Sequence, residues 1–328
     1  MNFKKTILIL VLIVIITGLI IAVVYNSNKD TTPSNENLNI VVTSFSTYDF
    51  IRQIAGDNVN LTFLMGPGKD SHSYEPTIQD SIKIQNADLF IYIGGNMEKW
   101  ADKILDVPEV KKVSSFKLTD IITLQEEQHV DGAEEDGDEH NHDEDNNETE
   151  HTSEYDEHIW TSPANSIIIA QELINLLSEN DPTNRAIYEE NGQNYIEKIK
   201  NVQSQIWDIV NNRVRNRLVF ADKMPMQYFL NEFGLTASAA FNGCSTEAEP
   251  NPATIAYLTD KIKEEHIPVV LYIELNIGKV ADIIANETGI ESMQIQSLHN
   301  VSRTDFENGE TYVSLMTKNL EVLKKALQ

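Results

Sequence analysis

Apolar residues along the chain follow two alternating rhythms. Short β-branched runs, NIVVTSF (Asn39–Phe45), VNLTFLM (Val59–Met65) and DLFIYIGG (Asp88–Gly95), predict buried strands. Between them STYDFIRQIAG (Ser46–Gly56), TIQDSIKIQNA (Thr77–Ala87) and NMEKWADKIL (Asn96–Leu105) carry helical spacing, the first with Ser46 as N-cap and Gly56 as stop. SPANSIIIAQELINLLSEN (Ser162–Asn180) predicts a helix with Pro163 in its first turn. The next helix, Asp181–Arg213, is longer, with Ile187, Tyr188, Tyr195, Ile199, Val202, Ile206 and Ile209 recurring every three or four positions. About 30 helical residues span roughly 45 Å, enough to tie two lobes together.

After that helix the pattern restarts. RLVFA, LTASAAF, PVVLYIE and SMQIQSL predict strands, alternating with helices over PMQYFLNEFG, NPATIAYLTDKIKEEH, GKVADIIANETG and TYVSLMTKNLEVLKKAL. Strands separated by helices imply parallel sheets. The expected fold class is α/β: two parallel-sheet β/α lobes joined by one long rigid helix. A ligand cleft is expected between the lobes, beyond the strand carboxyl ends. The expected boundaries are an N-terminal segment and tether over 1–37, a first lobe over 38–180, the linking helix over 181–214 and a second lobe over 215–328.

One stretch breaks the rhythm. Glu126 to Glu157 holds 16 acidic residues, His129, His140, His142 and His151, and no Lys or Arg. It has almost nothing to bury and is expected to stay unstructured. The run accounts for much of the formal net charge of −26. That field disfavours nucleic acid as a partner and favours cations. Cys244 is the sole cysteine, which excludes a disulfide and a thiolate zinc cluster.

The N-terminus, MNFKKTILILVLIVIITGLIIAVVYNSNKD, places Lys4 and Lys5 before an apolar run from Ile7 to Tyr25. The length approaches the roughly 20 residues of a bilayer span. No small-x-small cleavage site follows, and no cysteine is at hand for lipid attachment. The expectation is an uncleaved membrane anchor with the rest outside the membrane, a cleaved signal peptide being the alternative.

Four histidines lie outside the acidic run. His72 sits in GPGKDSHSYEPT, directly after a predicted strand, and His158 in DEHIWTSPANS, just before a helix. Strand ends are where ligand sites form in such sheets. His266, ending a polar helix, and His299, in SLHNVS after a strand, read as surface or capping residues.

The stretch from Val41 to Gly95, with the motif around DSHSYEPT, resembles the N-terminal lobe of the zinc/manganese solute-binding proteins of ABC importers. EHIWTSPAN resembles the same family, as does GETYVSLMTKNLEVLKKAL at its last helix. The resemblance implies one metal ion in the cleft, a permease and an ATP-binding subunit as partners, and a monomeric, extracytoplasmic binding protein. It maps the first two metal ligands onto His72 and His158. The third falls in LVFADKMPMQYF, where Asp222 matches best with a one-residue shift, and the fourth on Glu274 in LYIELNIGKVAD, with Glu247 and Glu249 as rivals. The family's zinc binders carry an acidic, His-rich loop before the second ligand, so His129, His140, His142 and His151 are expected as weak accessory sites. That loop favours zinc, whereas two imidazoles with two carboxylates also suit Mn²⁺ or Fe²⁺. A surface adhesin or metal buffer is a further reading. A zinc hydrolase finds little support, because no H-E-x-x-H, G-x-S-x-G or P-loop is present.

Overall fold

The computed structural model describes residues 37–133, 155–243 and 249–328, residue 111 apart. The apolar run Ile7–Tyr25 and the histidines His140, His142 and His151 lie outside the described residues. Among the described residues no helix is long and apolar enough to cross a membrane.

The first sheet comprises β1 (Leu38–Val42), β2 (Val59–Phe63), β3 (Leu89–Tyr92) and β4 (Ser114–Lys117), all parallel in the order β2-β1-β3-β4. The second comprises β5 (Arg217–Met224), β6 (Thr236–Asn242), β7 (Val269–Ile273) and β8 (Glu291–Ile295), parallel in the order β6-β5-β7-β8. The two lobes therefore repeat one topology, and both send their strand carboxyl ends into connecting loops. The edge strand β4, SSFK, has no buried residue and no apolar alternation, so periodicity does not reveal it.

The helices start where the local chemistry allows. In α1 (Phe45–Ala55) the cap is Ser44, whose hydroxyl accepts from Thr47 N–H, and not Ser46. Gly56 ends α1 at φ 56°. In α2 (Ile78–Gln85) Thr77 and Asp80 form a reciprocal capping box. α3 (Lys99–Leu105) completes the first run of β/α units. α4 (Pro163–Asn180) begins with Pro163 behind the cap Ser162. The long helix α5 (Arg185–Asn211) has 27 residues, about 40 Å. It buries Tyr188, Tyr195, Ile199, Val202, Ile206 and Val210 against α4, α1 and the C-terminal helix α10 (Tyr312–Leu327). The second lobe adds α6 (Gln227–Phe233), α7 (Pro252–Glu265), α8 (Lys279–Thr288) and the short α9 (Arg303–Glu307).

The described ends of the acidic run are ordered, contrary to expectation. Glu126 and Tyr155 form an antiparallel bridge, and Asp131 bridges Ser238 of β6. Val130 is buried. Gln227 of α6 donates to Glu126 O and accepts from Gln128 N–H, and Asn242 accepts from Val130 N–H. Asp131 pairs with Arg217 and receives the Tyr257 hydroxyl. One apolar side chain and this set of partners anchor the strap, which net charge alone conceals.

Asp49 ties three helices together. Its carboxylate, fully buried, accepts from Arg52 at 2.6 Å, from the Tyr195 hydroxyl of α5 at 2.5 Å and from Tyr312 N–H at the start of α10 at 2.7 Å. Removing it orphans two buried donors and leaves the Arg52 guanidinium with the Glu310 carbonyl. We predict that Asp49→Ala lowers unfolding free energy by about 3 kcal/mol in urea melts, and Tyr195→Phe by about 1 kcal/mol. Equal losses in the two variants would show that Asp49 serves Tyr195 alone.

Candidate metal centre

Three loops from both lobes converge on one point. The first follows β2. Gly66 and Gly68 adopt φ 71° and 78°, turning the chain sharply before His72. Asp70 accepts from His72 N–H, closing a local turn. The loop is pinned to the segment after β8: Gly68 N–H donates to Val301 O, and Asn300 donates its amide to Gly66 O and Lys69 O.

The second element is the short 3₁₀ turn Ile159–Thr161, entered at His158. Glu157 accepts from the backbone N–H of Asn96 and Met97, fixing this segment against the loop after β3. Gly95 must lack a side chain there, because a Cβ would collide with Glu157. His158 is fully buried, with its backbone N–H and its Nδ1 both on Asp156 Oδ1, at 2.7 and 2.8 Å. With Nδ1–H so engaged, Nε2 faces inward. Gly243, after β6, passes close to the ring: a Cβ there would sit 3.4 Å from His158 Cε1 and 3.0 Å from Pro225 Cα.

The third element follows β8. The Trp160 indole N–H donates to Ser297 O at 3.0 Å, and its ring lies 4.9 Å from the His299 ring. Glu274, at the end of β7, accepts from Ser297 N–H, the Ser297 hydroxyl and His299 N–H. Leu298, just before His299, and Leu275, just after Glu274, adopt φ 63° and 67°. A non-glycine residue in that region costs about 1 kcal/mol or more, and such strain clusters at functional sites.

These loops bring one ring nitrogen each from His72, His158 and His299 within 4.8 Å of one another. His72 Nε2 and His158 Nε2 stand 3.4 Å apart. Zinc–imidazole bonds of about 2.0–2.1 Å at tetrahedral angles place two ligand nitrogens roughly 3.3–3.4 Å apart. The pair is therefore spaced as two ligands of one ion.

Electrostatics set the three rings apart. Burial, then the neighbouring His158, lowers the His72 pKa to about 3, with Lys223 adding to the effect. Burial, followed by His72 and His158, holds His299 well below the ordinary imidazole value. Burial also works against a charge on His158, but the Asp156 carboxylate outweighs it and the pKa rises.

Among the four residues expected to bind metal, His72 and His158 stand in this cluster, whereas Asp222 and Glu274 do not. Both carboxylates line the adjoining cavity, and both are occupied. Asp222 accepts from Lys223 N–H, Ile273 N–H and the Asn276 amide. The β5–β6 register slips between Phe220 and Lys223, so Asp222 lies in an irregularity that turns it toward β7. Glu274 spends its oxygens on the backbone and hydroxyl groups that hold His299. Of the rivals, Glu249 lines the cavity and Glu247 lies outside the described residues. His129 is exposed on the strap, and His266 is the C-cap of α7. His299 takes the third place in the cluster. Its position directly beyond a strand's carboxyl end was the available signal.

Comparison with known proteins identifies the family to which this fold belongs. Residues 40–326 match the family model ZnuA, "Zinc-uptake complex component A periplasmic". The chain is 32% identical over 288 residues to the zinc-binding lipoprotein AdcA of Streptococcus pneumoniae, covering 88% of this chain and 55% of that protein, so it spans about half the relative's length. It is 29% identical over 298 residues to the high-affinity zinc uptake system protein ZnuA of Bacillus subtilis, covering 89% of this chain and 88% of that one. The Zn(II)-bound ZnuA-like domain of S. pneumoniae AdcA superposes with a TM-score of 0.72 at 30% identity, over 89% of this chain and 99% of the domain. With two lobes of matching topology and a family model spanning both, the chain belongs to the ZnuA family of zinc-uptake complex components.

Proposed function

We propose that this protein captures a zinc ion between its lobes, outside the membrane, and delivers it to an ABC importer made of a permease and an ATP-binding subunit. The observation that carries the reading is the convergence of three imidazoles from both lobes, two of them at ligand–ligand spacing. A set of three imidazoles favours zinc over manganese, which prefers carboxylates. The relatives, a zinc-binding lipoprotein and a high-affinity zinc uptake protein, point the same way.

Each ligand ring is needed, so His72→Ala, His158→Ala and His299→Ala should each weaken zinc binding by more than about 100-fold, since loss of an outer partner alone costs 10–100-fold. Glu274→Gln, which loosens the His299 loop, should fall within that outer range, and His266→Ala should match the wild type. Competition of the purified full chain against a chromophoric chelator measures all five. Wild-type affinity in His299→Ala would remove that ring from the site.

Metal binding requires all three rings neutral at the coordinating nitrogen. Burial keeps His72 and His299 without a proton near neutrality, whereas the Asp156 carboxylate raises His158 above the ordinary imidazole value, so that at pH 6 it carries one. Zinc uptake at pH 6 should therefore release about one proton. Affinity should fall about tenfold per pH unit below the His158 pKa, an onset lying above 6.5. Titration calorimetry in two buffers of different ionisation heat counts the proton. Release near zero at pH 6 would show that His158 is already neutral, or that it is not a ligand.

A further inference from the structure

The three-imidazole cluster opens on one side into a cavity of about 550 Å³. A bare ion needs a small fraction of that, and the volume falls in the range of small-molecule sites, about 300–1,000 Å³. His72 and His299 form one wall. Zinc held by three protein ligands keeps a fourth position for a ligand from solution. The buried carboxylates on the cavity wall, Asp222 and Glu274, are engaged by hydrogen bonds, so neither is free to fill it without dismantling its loop.

A cation stands where an acid would be expected. Lys223 lines the cavity, its side chain only 13% exposed, with its ammonium 3.5 Å from Asp70. Its charge reaches both His72 and His299. Beside a dication that ammonium is repulsive, and its ion pair with Asp70, whose carboxylate is half exposed, is screened by solvent. Lys279 lines the same cavity, and Glu249 is exposed at its edge. An anion placed between metal and ammonium would satisfy both, as a carboxylate chelated to one and ion-paired to the other.

Building on the metal reading above, we propose that the protein binds zinc together with a small carboxylate anion. The anion fills the fourth coordination position from the cavity side and pairs with Lys223. The cargo is then a metal–carboxylate chelate, and Lys223 sets its anion preference.

Equilibrium dialysis of the purified full chain against radiolabelled citrate, with and without zinc, tests this. The zinc-loaded protein should hold about one citrate per zinc and the zinc-free protein none. In Lys223→Gln the citrate-to-zinc ratio should drop at least tenfold. In citrate-free buffer the same variant should bind zinc more tightly than the wild type, because a like charge is gone, a gain that mere disruption of the fold would not produce. With both zinc and citrate present, a wild type that retains zinc but no citrate, or an unchanged ratio in Lys223→Gln, would overturn the inference and leave the fourth position to water or a protein carboxylate. Failure of the wild type to hold zinc at all would overturn the metal reading and this one with it.

Discussion

Two imidazole nitrogens held 3.4 Å apart inside a protein are a problem unless something positive lies between them. If both rings are neutral with inward lone pairs, they repel in a low-dielectric setting. A proton on His158, shared toward His72, relieves the repulsion, and so does a metal ion. The opposite pKa shifts of the two rings express this competition: one ring is kept bare by burial, and the other is kept charged by Asp156. On the proposed zinc reading, that proton holds the place of the metal.

Holding that geometry takes support from elements that are far apart in sequence. His72 rides on a loop tied to Asn300, and His158 on a turn fixed by Glu157 and Asp156. His299 rides on a loop fixed by Glu274 and the Trp160 indole. Each loop is thereby braced by residues from another. Leu275 and Leu298 carry positive φ at the two ends of the Glu274–His299 link, so local backbone preference gives way there to the demands of the site. Behind these loops, α5 and the Asp49 junction join α1 and α10 into one support, which keeps the loops from drifting independently.

The fold was largely legible in the sequence because the two periodicities are strong where burial is strong. β1, β3 and β7 are apolar throughout the stretch that the sheet buries, and α5 shows its stripe over 27 residues. β4 escaped because an exposed edge strand needs no such pattern. The site was legible by halves. His72 and His158 lie in loops whose punctuation and family resemblance both mark them. Asp222, expected as third ligand, stands outside the three-imidazole cluster, in a register slip of β5 that no period-2 reading contains, with its carboxylate hydrogen-bonded to Ile273 N–H and the Asn276 amide. His299 was discounted because a lone loop histidine is usually solvated, whereas here Trp160 and Glu274 draw its ring into the interior. Glu274 stands beside the cluster as expected from the sequence, and there its oxygens accept from Ser297 and from the His299 backbone N–H.

The acidic run bears on how an ion reaches this site. Its described beginning is docked on the second lobe through Val130 and Asp131, and its described end, Asp156–Glu157, is continuous with His158. A segment carrying 16 acids in its full length is therefore anchored at one end by the lobe that contributes His299, and at the other by the carboxylate that sets the charge on His158. Such a concentration of negative charge raises the local density of cations at short range, within about a Debye length of 8–10 Å at moderate salt. Attraction over that distance is unselective among divalent ions. Selection falls to the buried imidazoles, where desolvation makes donor type decisive. On the proposed zinc reading, capture and discrimination belong to different parts of the chain, the acidic run for the first and the three-imidazole cluster for the second.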